Sequence, residues 1–157
     1  MWARRLIAGV LPAAVMVLVV TVHPSVPAKS VRELIALAKA RPGELNYAST
    51  ATGGTPHLAA ELFKSMARVN IRHLPYKGAG AAMIDVMAGE VQLIFAVPNA
   101  IVGPGKTGRL RALAVTSSEP SVLLPGIPTV AATGLPGCEF VAQDPENPPW
   151  SASSGWA

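Results

Sequence analysis

The apolar positions fall into short unbroken runs separated by stretches with helical spacing. Val15-Met16-Val17-Leu18-Val19-Val20 is a continuous run rich in β-branched residues, as suits a strand covered on both faces, and a strand is predicted over 15–22. His23-Pro24-Ser25-Val26-Pro27 is a rigid connector. Ser30 followed by Glu33 forms a capping box that opens a helix over Val31–Ala40, with Leu34, Ile35 and Ala38 on one face and Arg41-Pro42-Gly43 as its stop. A strand over Leu45–Ala48 leads to a second helix, Pro56–Arg68. Its apolar stripe is Leu58, Ala59, Leu62, Phe63 and Met66. Further strands are predicted at Ile71–Leu74, Val91–Phe95 and Leu110–Val115, and a helix at Ala81–Ala88 closed by Gly89. A proline-rich loop covers Ser117–Pro128, Thr129–Ala132 is a helical turn ending at Gly134, and Phe140–Ala142 starts a last strand. Strands alternating with helices imply an α/β fold of three layers, a mainly parallel sheet flanked by helices.

The ends read differently. Arg4 and Arg5 before the apolar stretch from Leu6 to Val20 have the outline of a secretory signal, against which stand Pro12 and the want of a clear cleavage site. Residues 1–14 are read as signal-like or as an N-terminal extension, 15–142 as one α/β lobe, and 143–157 (beginning QDPENPPW) as a flexible tail by composition.

Composition narrows the function classes. Of 157 residues, 50% are hydrophobic and 14% charged, which argues against disorder for most of the chain. The net charge is +4, but the 13 basic residues are scattered and aromatics are only 5%, so no stripe for nucleic acid exists. A single cysteine, Cys138, permits no internal disulfide and reads as a small buried filler.

Candidate chemistry gathers at the loops that follow strands, because ligands of open α/β sheets bind outside the carboxyl ends. Three segments reach that edge: Ser49–Thr55 (STATGGT), Tyr76–Gly80 and Ala96–Asn99. The first two each lead into a helix start, where free N–H groups and the helix dipole attract anions. Gly53, Gly54, Gly78 and Gly80 allow close backbone approach. Ser49, Thr50, Thr52 and Thr55 add hydroxyls, a set suited to a carboxylate held by neutral donors. Ordinary strand-to-helix turns have similar composition. No phosphate-cradling or dinucleotide glycine pattern is present, and no cofactor is expected. His57 and Glu61 share a helix face without a third metal ligand; the plainer reading is that His57 helps hold the loop and Glu61 pairs with Lys64 or water. Tyr76 and Lys77 are candidates to point into a cleft, Lys77 equally to solvent. No nucleophile motif anchors an enzyme reading, which an approach of His57 or His73 to Ser49 would revive.

The blocks HPSVPAKSVRELIALAKARPGELNYAST, HLAAELFKSMARV, HLPYKGAGAAMIDVMAGEVQLIF, GRLRALAVTS and LLPGIPTVAATGLPG resemble, in order and spacing, the second lobe of the Bug-type receptors of tripartite tricarboxylate transporters. The resemblance covers residues 15–142. It implies one lobe of a type II periplasmic-binding-protein fold, a periplasmic monomer, a small carboxylate ligand and delivery to membrane permease subunits. It implies ligand contacts at Ser49, Thr50, Thr52, Gly53, Gly54, Thr55 and His57, with Ala96 and Asn99 lining the cleft after Phe95. Ala96 stands where family members often carry an acid, which speaks against a ligand bearing an amino group. The first lobe that such receptors carry is not seen before residue 15, so a truncated or frameshifted chain of reduced affinity, with an exposed lobe surface prone to self-association, is the expectation. Alternatives are an effector-binding regulatory domain or a non-functional receptor fragment.

Overall fold

The structure, a computed structural model, describes residues 16–142 apart from positions 51, 118, 139 and 140. The sequence expectations for residues 1–14 and 143–157 lie outside the described residues. Val17–Val141 forms one compact unit. Its main sheet contains β2 (Val19–Val22), β3 (Asn46–Ser49), β4 (Arg72–Pro75), β5 (Leu93–Ala96) and β6 (Arg111–Val115), in the spatial order β4-β3-β5-β2-β6. Two-residue strands β1 (Met16–Val17) and β7 (Val141–Ala142) form a separate pair. The helices are α1 (Val31–Ala40), α2 (Thr55–Ala67), α3 (Ala79–Ala88), α4 (Pro98–Lys106) and α5 (Val130–Thr133).

Strand residues alternate between the two faces of the sheet. On one face Val20, Val22, Tyr47, Leu93, Phe95 and Leu113 pack with Val31, Leu34 and Ala38 of α1 and with Ala59, Ala60, Phe63 and Ala67 of α2. On the other, Val19, Ala48, Ile94, Ala96 and Val115 pack with Ala82 and Val86 of α3 and Ile101 of α4. The three layers expected from the sequence are therefore present.

β3 runs parallel to β4 and to β5, whereas β2 runs antiparallel to both β5 and β6. The sheet is mainly parallel in strand direction, with β2 reversed in its interior. The reason is the path of α1, which is no crossover. β2 ends with Val22 beside Arg111, the first residue of β6. Arg111 donates to the carbonyl of Ala28 (3.1 Å) just before α1, and just after it the N–H of Gly43 donates to Asn70 (2.9 Å) at the start of β4. Both ends of α1 thus lie at the edge where the parallel strands begin, so the chain enters β3 from the edge at which β2 left.

Two further expectations are corrected. Leu58 and Met66, placed by spacing in the buried stripe of α2, are 50% and 37% exposed. The buried stripe is Ala59, Ala60, Phe63 and Ala67, small residues that let the helix backbone settle close to the sheet. Helix α4 was read only as a segment after β5. Gly103-Pro104-Gly105 obscures it, but Pro98 at its start and buried Ile101 hold it in place. The capping box of α1 exists in altered form: Ser30 Oγ accepts from the N–H of Glu33 at 3.2 Å, while the Glu33 carboxylate reaches past the cap to the N–H of Lys29 at 2.6 Å. Cys138 is a buried free thiol, its pKa pushed up by burial.

Candidate functional site

Because β3, β4 and β5 are parallel, their carboxyl ends share one edge, and each feeds a helix: α2, α3 and α4. The N–H of Tyr76 donates to Ser49 O at 2.8 Å, tying the ends of β4 and β3 together. The N-cap residues of these helices are Gly54, Gly78 and Val97, and none offers a side-chain cap. By contrast Ser30 Oγ caps α1 and Thr129 Oγ1 caps α5. Helix geometry leaves the first-turn N–H groups without intrahelical acceptors, so Ala79, Gly80 and Ala81 of α3 present donors at the common edge. Gly78 has φ −164° and ψ 153°, extended backbone open to any residue, and a Cβ there would meet nothing within 4 Å. The bare start of α3 is therefore not a demand of the backbone.

The remaining predicted residues divide by exposure. Thr52, Gly53, Lys77 and Asn99 are exposed; Thr50, Gly54, Thr55, His57, Tyr76 and Gly78 are half-buried; Ser49 and Ala96 are buried at the ends of β3 and β5. Tyr76 does not reach outward: its hydroxyl donates to Asp85 Oδ2 of α3 at 2.7 Å, a bond that, with lesser help from burial, raises its pKa to about 12.

Beneath the β3–α2 loop lies a polar cluster. Ser49 Oγ is 2.5 Å from His73 Nε2. His73 stacks against both Tyr47 (ring centroids 4.9 Å) and His57 (4.3 Å). The N–H of Gly53 donates to His57 Nδ1 at 2.8 Å. Tyr47 and Lys64 both donate to Glu61 Oε1, at 2.6 and 2.8 Å. Burial works against the Glu61 charge, but the bonds from Lys64 and Tyr47 outweigh it and hold its pKa below the ordinary carboxylate value. The Tyr47 hydroxyl is raised by burial first and then by Glu61. The loop-holding role of His57 and the Glu61–Lys64 pair were legible from helical spacing. Tyr47 was missed and His73 was weighed only as a partner for Ser49, although the two stand in register on neighbouring strands, and Tyr47 and Ser49, two apart, share a face.

Burial, and then the neighbouring charge positions of His57 and Lys64, lower the His73 pKa from 6.5; Glu61 offsets this only in part. With the folded pKa depressed, the unfolded chain takes up its proton first. The stability that neutral His73 contributes is complete above about pH 6.5 and is lost as pH falls through the lowered folded value. Thermal unfolding followed by circular dichroism from about pH 8 to about pH 5 should show a falling Tm, with a shallower slope in His73→Gln. Equal slopes would remove His73 from the account.

The Ser49–His73 approach is the geometry that would revive an enzyme reading. Ser49 is only 1% exposed, so its oxygen is not offered to a substrate. Among the described residues no group of three or more His, Cys, Asp or Glu could hold a metal ion, and no helix is long and apolar enough to cross a membrane.

The open three-layer α/β sheet is that of one lobe of a periplasmic binding protein. The chain belongs to the tripartite tricarboxylate transporter receptor family, whose model matches residues 2–143. It is 40% identical to protein BugT of Bordetella pertussis over 86% of this chain and 39% of that one. A protein of Pseudomonas sp. strain P51, from a tcbD–tcbE intergenic region, is 36% identical over 72% of this chain and 34% of its own. The structure of Rpa4515 of R. palustris with adipate superposes with TM-score 0.79 at 37% identity, covering 83% of this chain and 44% of that one. Periplasmic binding protein BugD superposes with TM-score 0.74 at 26% identity, covering 81% and 43%. The chain thus spans less than half the length of these relatives. The family is one of transporter receptors and not of enzymes, as the sequence predicted.

Proposed function

We propose that the edge formed by the ends of β3, β4 and β5 binds a small carboxylate, as one wall of the cleft of a periplasmic receptor that delivers its ligand to membrane permease subunits. The observation that carries this reading is the distribution of caps. The helices that start at this edge have no side-chain cap, whereas α1 and α5 do. Bare N-termini attract an anion through unpaired N–H groups and the helix dipole. The ligand-facing residues in this reading are Thr50, Thr52, Gly53, Gly54 and Thr55 of the first loop, Lys77 and Gly78 of the second, and Asn99 at the start of α4. Ser49, His57, Tyr76 and Ala96, more enclosed or already bonded to neighbours, support them. Adipate, the ligand named for Rpa4515, is the natural first probe.

A receptor cleft buries most of its ligand, and a single wall leaves it wet. Affinity of this 157-residue chain is therefore expected to be weak, about millimolar, which corresponds to roughly −4 kcal/mol. Titration of the isotope-labelled chain with adipate, malate and a tricarboxylate should give saturable amide shifts confined to the β3–α2, β4–α3 and β5–α4 junctions. Shifts elsewhere, or none with any carboxylate, would sink the proposal.

A further inference from the structure

We propose that His57 is the positioning residue of the β3–α2 loop, a neutral-imidazole latch that holds the loop in its anion-binding form and releases it in acid. The inference rests on the carboxylate reading of this loop. A backbone N–H can only donate, so the 2.8 Å contact from Gly53 to His57 Nδ1 requires an unprotonated Nδ1, with the neutral ring's proton on Nε2. Gly53 has φ +84°, a left-handed conformation that glycine adopts without strain and that turns its N–H back onto a side chain four residues on. His57 therefore does not need to touch the ligand to govern it.

Charging the ring puts a proton on Nδ1, and a donor then faces a donor. The groups around His57 make that event matter. On its own helix, Glu61 Oε1 is 3.8 Å from Nε2, and Lys64 holds the same oxygen. From β4, His73 stacks on it at 4.3 Å, and from β3 Tyr47 lies at 6.5 Å in the same stack. Glu61 Oε1 already accepts two short bonds, from Tyr47 and Lys64, and the contact to His57 is beyond hydrogen-bond length. The cluster tolerates a charged His57 only by parting with the Gly53 bond. Protonating the ring is therefore what frees the loop, and acidification is the means of imposing it.

The test is the Gly53 amide shift of the isotope-labelled chain against pH, in wild type, His57→Asn and His57→Phe. In wild type the amide should move upfield along a titration curve as the bond is lost. Asn places an uncharged acceptor near the Nδ1 position, so its Gly53 amide should stay bonded and flat across pH. Phe keeps a ring without an acceptor and should give the released shift at every pH. Affinity for adipate in wild type should fall about tenfold from about pH 8 to about pH 5, the equivalent of one lost hydrogen bond. Whatever its starting affinity, His57→Asn should lose only what protonation of adipate itself removes, so the latch is read as the wild-type loss in excess of the variant's. A wild-type Gly53 amide that does not titrate, or one that follows the same curve in His57→Asn, overturns the latch, since His73 and Glu61 remain in that variant. If the amide titrates as described but adipate binds at neither pH, the latch stands and the carboxylate reading falls.

Discussion

A Gly78→Asp chain is expected to unfold at the same temperature as the parent or a higher one, while losing affinity for dicarboxylates by about three orders of magnitude. Both halves follow from the start of α3. Its N-cap is in extended backbone, the conformation of Ser30 and Thr129 at the capped helices, and a Cβ meets nothing within 4 Å. An aspartate there accepts a first-turn N–H and complements the helix dipole, worth about 1 kcal/mol. The same carboxylate occupies donors offered to the ligand and sets a negative charge beside it. Two unit charges about 5 Å apart repel by roughly 3 kcal/mol at an effective dielectric constant near 20. Each 1.4 kcal/mol is about tenfold in affinity. Gly78→Asn, which caps without charge, should lose about tenfold and so separate blocked donors from repulsion. Thermal unfolding and adipate titration on the same samples read both halves. An Asp variant that unfolds later and binds as well as the parent would mean that α3 takes no part in the site.

Much of this was legible because the cues are local. The Ser30–Glu33 spacing fixed the start of α1 and Gly89 the end of α3 with φ +84°, whereas the start of α4 at Pro98 went unread behind Gly103-Pro104-Gly105. The loops at the sheet edge could be chosen because strand-to-helix order places carboxyl ends together. The direction of β2 was not legible. It depends on where α1 comes to lie, and that is decided by Arg111 reaching Ala28 and by Gly43 reaching Asn70, across sequence separations that no local pattern reports. The polar cluster under the loop was half legible. Helical spacing pairs His57, Glu61 and Lys64, but the stacking of Tyr47 and His73 depends on the register of β3 against β4. Within α2, periodicity marked a stripe of candidates without saying how wide the contact is, since a narrow seat on the sheet buries alanines and leaves the larger flanking side chains in solvent.

That last difference sets up the second large effect. Phe63→Ala and Leu58→Ala remove large apolar side chains from one helix, and the sequence pattern assigns both to its buried stripe. Phe63 is 1% exposed and stands edge-on to Phe95, ring centroids 5.8 Å apart at 63°, whereas Leu58 is 50% exposed. Truncating Phe63 removes its transfer energy and leaves a cavity between α2 and the sheet, costing about 3–5 kcal/mol. Against a total of about 5–15 kcal/mol, that is a large share of the stability, and Tm should fall by roughly 10–20 °C. Truncating Leu58 removes contacts that water already shares, and alanine is the better helix former, so its cost should stay below about 1 kcal/mol. Urea unfolding of the two variants beside the parent measures the gap. Equal midpoints would show that α2 seats on the sheet through its exposed flank as much as through Phe63. A gap of several kcal/mol would place the anchor at Phe63, two turns along the helix from the ligand loop, so that the start of α2 can answer to His57 and the loop while its middle stays fixed on the sheet.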